Sequence, residues 1–219
     1  MPHPLPPPRW QRRAEARPQE LLEAALTEFV ARGYAATRLD EVARRAGVSK
    51  GTLYLYYENK AELFKAVVRR ALVGNLDEAE ARVAGHAGSS RDLLAWMLTE
   101  MTRRVSNSEL SGIPKLVISE AGNFPEIARF YFDEVIRRGR DIVQGILRRG
   151  MDSGEFRPVD PEYAWRVIIA PVMLGILWKH SFMAVDPHGL DFERHLRSHL
   201  DLLFDGLSAP GRKRTEETP

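Results

Sequence analysis

Apolar residues recur at three- and four-residue intervals along most of the chain, and no segment alternates with the period of two that a half-buried strand requires. Leu22, Ala25, Leu26 and Phe29 share one face of a helix that can hold Pro18 in its first turn and stop at Gly33. Leu63, Phe64, Val67, Val68, Ala71 and Leu72 repeat the spacing in a longer helix, and Leu94, Met97, Leu98, Met101 and Val105 in another. Pro125 opens a long helix through Ile127, Tyr131, Val135, Ile142, Val143, Ile146 and Leu147, closed by Gly150 or Gly154. Asp160 and Pro161 supply an N-cap and a first-turn proline for a helix carrying the apolar run 167–178. That run lies between Arg166 and Lys179 and falls short of the ~20 apolar residues needed to span a bilayer, so a buried helix is expected. Phe192, Leu196, Leu200, Leu203 and Leu207 mark the last helix. The fold class these patterns predict is all-α.

The stretch 37–63, TRLDEVARRAGVSKGTLYLYYENKAEL, carries the most information. Thr37 and Asp40 have the spacing of a capping box, and a short helix follows with Leu39, Val42, Ala43 and Ala46 inward. Gly47 can take the left-handed conformation that ends it, Val48 plugs the corner, and Ser49 can cap a second short helix with Leu53 and Tyr57 inward. Helix, glycine turn and capped short helix together make a helix-turn-helix. The second helix leaves Lys50, Gly51, Thr52, Tyr54 and Tyr56 outward. Gly51 permits close approach to a major groove, Lys50 and Thr52 can reach base edges or phosphates, and the tyrosine hydroxyls can reach phosphates. The Lys60 ammonium, at the start of the next helix, is expected to hold a phosphate.

Composition narrows the class without naming a partner. The chain has 219 residues, 44% hydrophobic and 28% charged, which is ordinary for a globular protein. It has no cysteine, so disulfides, thiolate nucleophiles and cysteine-ligated metals are excluded, and a reducing cytoplasm is compatible with it. The net charge is +2, yet residues 9–60 hold ten basic and seven acidic residues, while the remainder holds 22 and 23. The positive excess therefore lies at the N-terminal end, where duplex DNA would be met. Residues 2–8, PHPLPPP, predict an extended arm over 1–16 with Arg9, Arg12, Arg13 and Arg17 at its base, able to enter a minor groove or to remain solvated. A polar tail is expected over 209–219.

Residues 17 to 65 resemble the DNA-binding domain of the TetR family of bacterial transcriptional regulators. The resemblance rests on Gly33-Tyr34, Thr37, Val42-Ala43, Ala46-Gly47-Val48-Ser49, Gly51-Thr52-Leu53-Tyr54, Tyr57, and Lys60 with Leu63. Tyr57 departs from the family's usual phenylalanine, and Arg38 stands where a second threonine or serine is common. The stretch SEAGNFPEIARFY, 119–131, is similar to a C-terminal subgroup that includes regulators of efflux pumps and of lipid or signalling metabolism. The resemblance implies a three-helix DNA-binding domain over 17–62, a fourth connecting helix, and a C-terminal helical ligand-binding and dimerisation domain over 63–208. It implies a cytoplasmic repressor that binds a palindromic operator in double-stranded DNA as a homodimer and is released by a small, largely apolar or aromatic effector. Thr37, Arg38, Ser49, Lys50, Gly51, Thr52, Tyr54, Tyr56 and Lys60 are the DNA-binding candidates. The alternative is a helical ligand- or partner-binding protein of the same fold without sequence-specific DNA binding.

In the C-terminal part, Trp96, Met97, Met101, Phe124, Tyr131, Trp165, Met173 and Trp178 are candidates for lining an effector cavity, or for close packing. Ile168, Val172, Gly175, Leu196, Leu200 and Leu203 are candidates for an apolar four-helix seam across a two-fold axis. His195 and His199 have metal-ligand spacing on one helix face, but no third ligand accompanies them, so no metal is expected. No nucleophile-base pair or glycine-rich phosphate loop appears, so neither cofactor nor enzymatic activity is expected.

Overall fold

The computed structural model describes residues 9–208, and the side chains of these apart from residues 9–17 and Glu109. The described residues are helical throughout, in order α1 (Arg9–Ala36), α2 (Leu39–Arg45), α3 (Lys50–Tyr56), α4 (Lys60–Val68), α5 (Gly74–Gly85), α6 (Ser90–Asn107), α7 (Gly112–Glu120), α8 (Pro125–Tyr131), α9 (Arg137–Asp152), α10 (Pro161–Ser181) and α11 (Phe192–Leu207). The expected arm falls in two parts: residues 1–8 lie outside the described residues, as does the tail 209–219, whereas the backbone of 9–16 already belongs to α1. The long helices read as continuous from sequence each contain one π-helical turn, Arg69–Val73 between α4 and α5 and Phe132–Ile136 between α8 and α9. Among the described residues no helix is long and apolar enough to cross a membrane.

The chain divides into two compact units. One comprises the described residues through Leu72 together with Leu116–Tyr131; the other comprises Val73–Lys115 and the described residues from Phe132 on. The boundary expected after residue 62 therefore shifts, because the first turns of the connecting helix and the segment 116–131 pack with the N-terminal helices. In the first unit α4 lies against α1 and α8, and α2 against α1 and α3. Its core is aromatic. Phe29, Tyr34 and Phe64 meet at centroid distances of 5.1 to 5.8 Å, and Phe124 meets Tyr34 edge-on at 4.7 Å. Such pairs add about 0.5–1.5 kcal/mol each beyond the burial of their surface.

In the second unit α6 is the central element, packed on α9, α10 and α11. Leu94, Leu98, Val143, Ile146, Leu147 and Ile168 are buried together, with Phe156, Val172, Ile176 and Phe204 around them. The chain ends of this unit are held by side chains that reach backbone. Arg149 donates to the carbonyls of His86 and Gly88 and to Ser90 Oγ, and Lys179 donates to the carbonyls of Val105, Ser106 and Ser108. These contacts satisfy carbonyls left over where α5 and α6 end.

Of the residues expected at a dimer seam, Ile168, Val172 and Gly175 are buried within the chain's own second unit, while Leu196, Leu200 and Leu203 pack half-buried against the same core and keep part of their surface open. Gly175 is covered by Phe192, whose ring would lie 3.2 Å from an added Cβ. The other side of α10 is apolar too: Tyr163, Val167, Ala170 and Leu174 follow one another at spacings of four, three and four residues and are exposed. A helix apolar all round gives no sequence signal for which face is inward.

The glycines of α9 supply a test of this packing. A Cβ on Gly150 would fall 2.1 Å from the buried Phe156 ring, whereas one on Gly145 would meet nothing within 4 Å. Gly150→Ala should cost about 1–3 kcal/mol in urea unfolding by overpacking. Gly145→Ala should gain about 0.5–1 kcal/mol through helix propensity.

Candidate nucleic-acid interface

The helix-turn-helix is built by local chemistry. Gly47 has φ 67°, the left-handed conformation that lets the Val48 N–H reach the Ala43 carbonyl at 3.0 Å and turn the chain at the end of α2. Ser49 then caps α3: its Oγ accepts from the Thr52 N–H at 3.1 Å and lies 2.8 Å from Thr52 Oγ1. At the other end the Tyr57 N–H closes the helix on the Leu53 carbonyl. Within these seven residues only Leu53 is buried. Gly51, Tyr54, Leu55 and Tyr56 are exposed and Thr52 is half-buried.

Ionic contacts fix α2 on α1 beneath that surface. The carboxylate of Glu28, buried in α1, receives Arg45 Nε at 2.6 Å and Arg32 Nε at 2.9 Å, and Arg32 also reaches Glu41 at 2.7 Å. On the outer surface Lys50 Nζ lies 2.8 Å from Asp40 Oδ1. The hydrogen bond between them holds the Asp40 carboxyl below its ordinary pKa and the Lys50 ammonium above its own.

The DNA-binding candidates differ in exposure and in the contacts they make within the chain. Arg38, Ser49, Lys50, Gly51, Tyr54 and Tyr56 are exposed on the helix-turn-helix. Thr37 is buried, and its hydroxyl donates backward to the carbonyls of Gly33 (2.7 Å) and Glu28 (3.2 Å). The expected capping box does not form: the N-cap position of α2 is Arg38, with no side-chain cap bond. Lys60 has partners within the chain as well. Its ammonium donates to the carbonyls of Tyr34 (2.8 Å), Ala35 (2.9 Å) and Thr37 (3.3 Å), so all three of its N–H groups are engaged within its own unit. It also lies 4.7 Å from the Tyr34 ring centroid. Burial lowers its pKa and the charge of Glu120 opposes that shift.

Three participants were not read from the sequence. Leu55 is exposed on the outward face of α3, Asp40 pairs with Lys50, and Glu120 Oε1 accepts the Ala35 N–H at 3.2 Å. The outward face of α3 is legible from the inward spacing of Leu53 and Tyr57; the partners of Asp40 and Glu120 depend on tertiary approach.

The residues proposed to line a cavity do not form one group. Met97 is buried in the core of the second unit, with Trp96, Met101, Trp165 and Met173 packed around it. Trp178 Nε1 donates to Asp186 Oδ2 at 2.8 Å, and its ring contacts Phe182. Phe124 and Tyr131 belong instead to the first unit, where Phe124 packs on Tyr34 and burial raises the Tyr131 pKa. His195 Nε2 lies 3.0 Å from the Pro171 carbonyl, and His199 is buried, its pKa lowered by burial and by His195.

Comparison with known proteins places this geometry. The family profile described as bacterial regulatory proteins, tetR family, matches residues 21–67, and that described as tetracyclin repressor-like, C-terminal domain, matches residues 86–191. The transcriptional repressor KstR2 of Rhodococcus jostii (strain RHA1) is 26% identical over 197 residues, covering 89% of this chain and 92% of the relative. The structure of SmeT in complex with triclosan aligns with a TM-score of 0.73 at 25% identity, over 93% of this chain and 97% of that one. The regulator FadR of Bacillus subtilis, in complex with stearoyl-CoA, aligns with a TM-score of 0.72 at 21% identity, over 86% of this chain and 98% of that one.

The position of the Lys60 ammonium yields a discriminating expectation. Lys60→Met should lower stability by about 1–3 kcal/mol, since three carbonyls lose a charged donor. The slope of log affinity for DNA against log salt concentration should stay unchanged, as measured by fluorescence anisotropy below the unfolding transition. A slope reduced by about one would return Lys60 to the phosphate contacts.

Proposed function

The chain belongs to the tetR family of bacterial regulatory proteins and is a DNA-binding transcriptional regulator, not an enzyme; from that premise we propose that it is a ligand-responsive repressor working as a homodimer on a palindromic operator. The observation that carries the proposal is the outward face of α3, with Lys50, Gly51, Thr52, Tyr54 and Tyr56 on a capped helix whose one buried side chain is Leu53. In this proposal Lys50 and Thr52 read base edges or adjoining phosphates. Arg38, Tyr54 and Tyr56 hold the backbone, and the backbone at Ser49 and Gly51 approaches closely. Thr37 and the Lys60 ammonium have structural roles.

One such helix reads too few base pairs to single out a site, so two copies must act together, their centres about 34–36 Å apart or a multiple of that. We assign the pairing surface to the exposed side of α10, Tyr163, Val167, Ala170 and Leu174, with Leu202 of α11. Val167 is 71% exposed and Leu202 78%, an apolar stripe that a lone protomer would leave in water.

The effector proposed is small and largely apolar or aromatic. Support comes from the ligands named for two neighbours, stearoyl-CoA and triclosan, and from the aromatic and methionine side chains around the core of the second unit. Trp165 Nε1 is buried without a hydrogen-bond partner among the described residues, so an effector carrying an acceptor would satisfy it. Release from the operator requires that the effector bind the DNA-free state better, typically by about 1–3 kcal/mol.

Mobility shift at moderate salt with DNA flanking the protein's own gene tests the regulator directly: a specific complex is expected, and binding no better than to random DNA would refute it. Thr52→Ala should weaken binding to that site more than to random DNA, while equal losses would leave Thr52 a positioning contact. Val167→Glu should sediment as a monomer with an unchanged circular dichroism spectrum and lose operator binding. A persistent dimer would move the pairing surface elsewhere.

A further inference from the structure

We propose that Leu55, one helical turn beyond Gly51 on the outward face of α3, is a specificity-determining residue that selects a thymine in the operator through its 5-methyl group. The inference rests on the regulator reading above and concerns what the middle of the reading helix does. Successive residues of an α-helix are rotated by about 100°, so residues two positions either side of Leu53 point almost opposite to it. With Leu53 fully buried, those residues are Gly51 and Leu55. The polar-tipped residues flank this line: Lys50 and Tyr54 on one side, Thr52 and Tyr56 on the other. The centre of the face is therefore apolar, and its edges are cationic or hydroxylic.

Leu55 is 84% exposed, so it contributes almost nothing to the unit's own core. Helical side chains lean toward the N-terminus, so the isobutyl group inclines toward the side of Gly51 while staying more than 4 Å from where a Cβ there would stand. A Cβ on Gly51 would meet only Ser49 Oγ, at 3.8 Å, so space remains open on the outer side of the helix there. The result is a notch with an apolar wall. Phosphate and sugar offer such a wall nothing, and of the groups on base edges in the major groove only the thymine methyl is apolar. Lys50, Thr52 and the two tyrosines set the helix on the duplex, and Leu55 then discriminates thymine from cytosine at the position beneath it.

The test uses the full chain and a duplex that wild type selects from a random-sequence pool. Each thymine of that duplex is replaced singly by deoxyuridine, which removes only the methyl group, and affinities are measured for wild type and Leu55→Ala. Wild type should lose about fourfold at one thymine in each half-site, the value of burying one carbon. Leu55→Ala should show no loss at that thymine, respond as wild type does at the others, and keep the wild-type affinity for random DNA and the same thermal midpoint. Uracil sensitivity that is equal in both proteins at every thymine, or absent from wild type, would overturn the proposal. So would an equal loss on selected and random DNA, since Leu55 would then act in positioning. If wild type enriches no sequence, the regulator reading fails and this inference falls with it; enrichment without methyl sensitivity removes Leu55 alone.

Discussion

The end of α1 must find partners for carbonyls that helix geometry leaves open, and the first unit is arranged around that demand. Gly33, at φ 84°, breaks the helix and turns the carbonyls of Tyr34, Ala35 and Thr37 toward one point. The Lys60 ammonium occupies that point, which ties the start of α4 to the end of α1. The Thr37 hydroxyl bonds back onto α1, and Glu120 receives the Ala35 N–H from the far side. Tyr34, at the centre, packs against Phe29, Phe64 and Phe124. With these contacts made, α2 is held by the Glu28 carboxylate and α3 follows from α2 through the Gly47 turn. The placement of α3 thus depends on a lysine that lies outside it, at the start of α4.

How far the sequence speaks depends on how local the physics is. The Gly47 turn, the Ser49 cap and the inward placement of Leu53 are short-range events, and all were legible from spacing. The carbonyl cluster that Lys60 meets leaves no local mark, because a lysine at a helix start suits a phosphate and such a cluster equally, and its acceptors lie 23 to 26 residues earlier. The Thr37–Asp40 spacing suggested a cap, but burial of Thr37 turned its hydroxyl toward α1. Tertiary competition of this kind leaves no mark on local sequence.

The second unit shows the other kind of ambiguity. Helices α6, α9, α10 and α11 follow the apolar periodicity, which survives whatever the partner, whereas α7 and the π-helical turns have no such signal. In α10 apolar residues occupy both sides, and only the packing of α6, α9 and α11 decides that Ile168, Val172 and Gly175 turn inward. Phe124 and Tyr131 look in sequence like further members of a C-terminal core. Their place in the first unit, Phe124 on Tyr34 of α1 and Tyr131 in α8 against α4, comes from contacts across more than fifty residues of chain.

The pairing of Lys50 with Asp40 sets what that ammonium can do next. The carboxylate, 2.8 Å away, engages one of its three N–H groups and leaves two to donate elsewhere, so a further acceptor can bind without displacing it. Both side chains are about half in water, where such a pair is weak and screened by salt, so the contact steers the lysine's long stem rather than locking it.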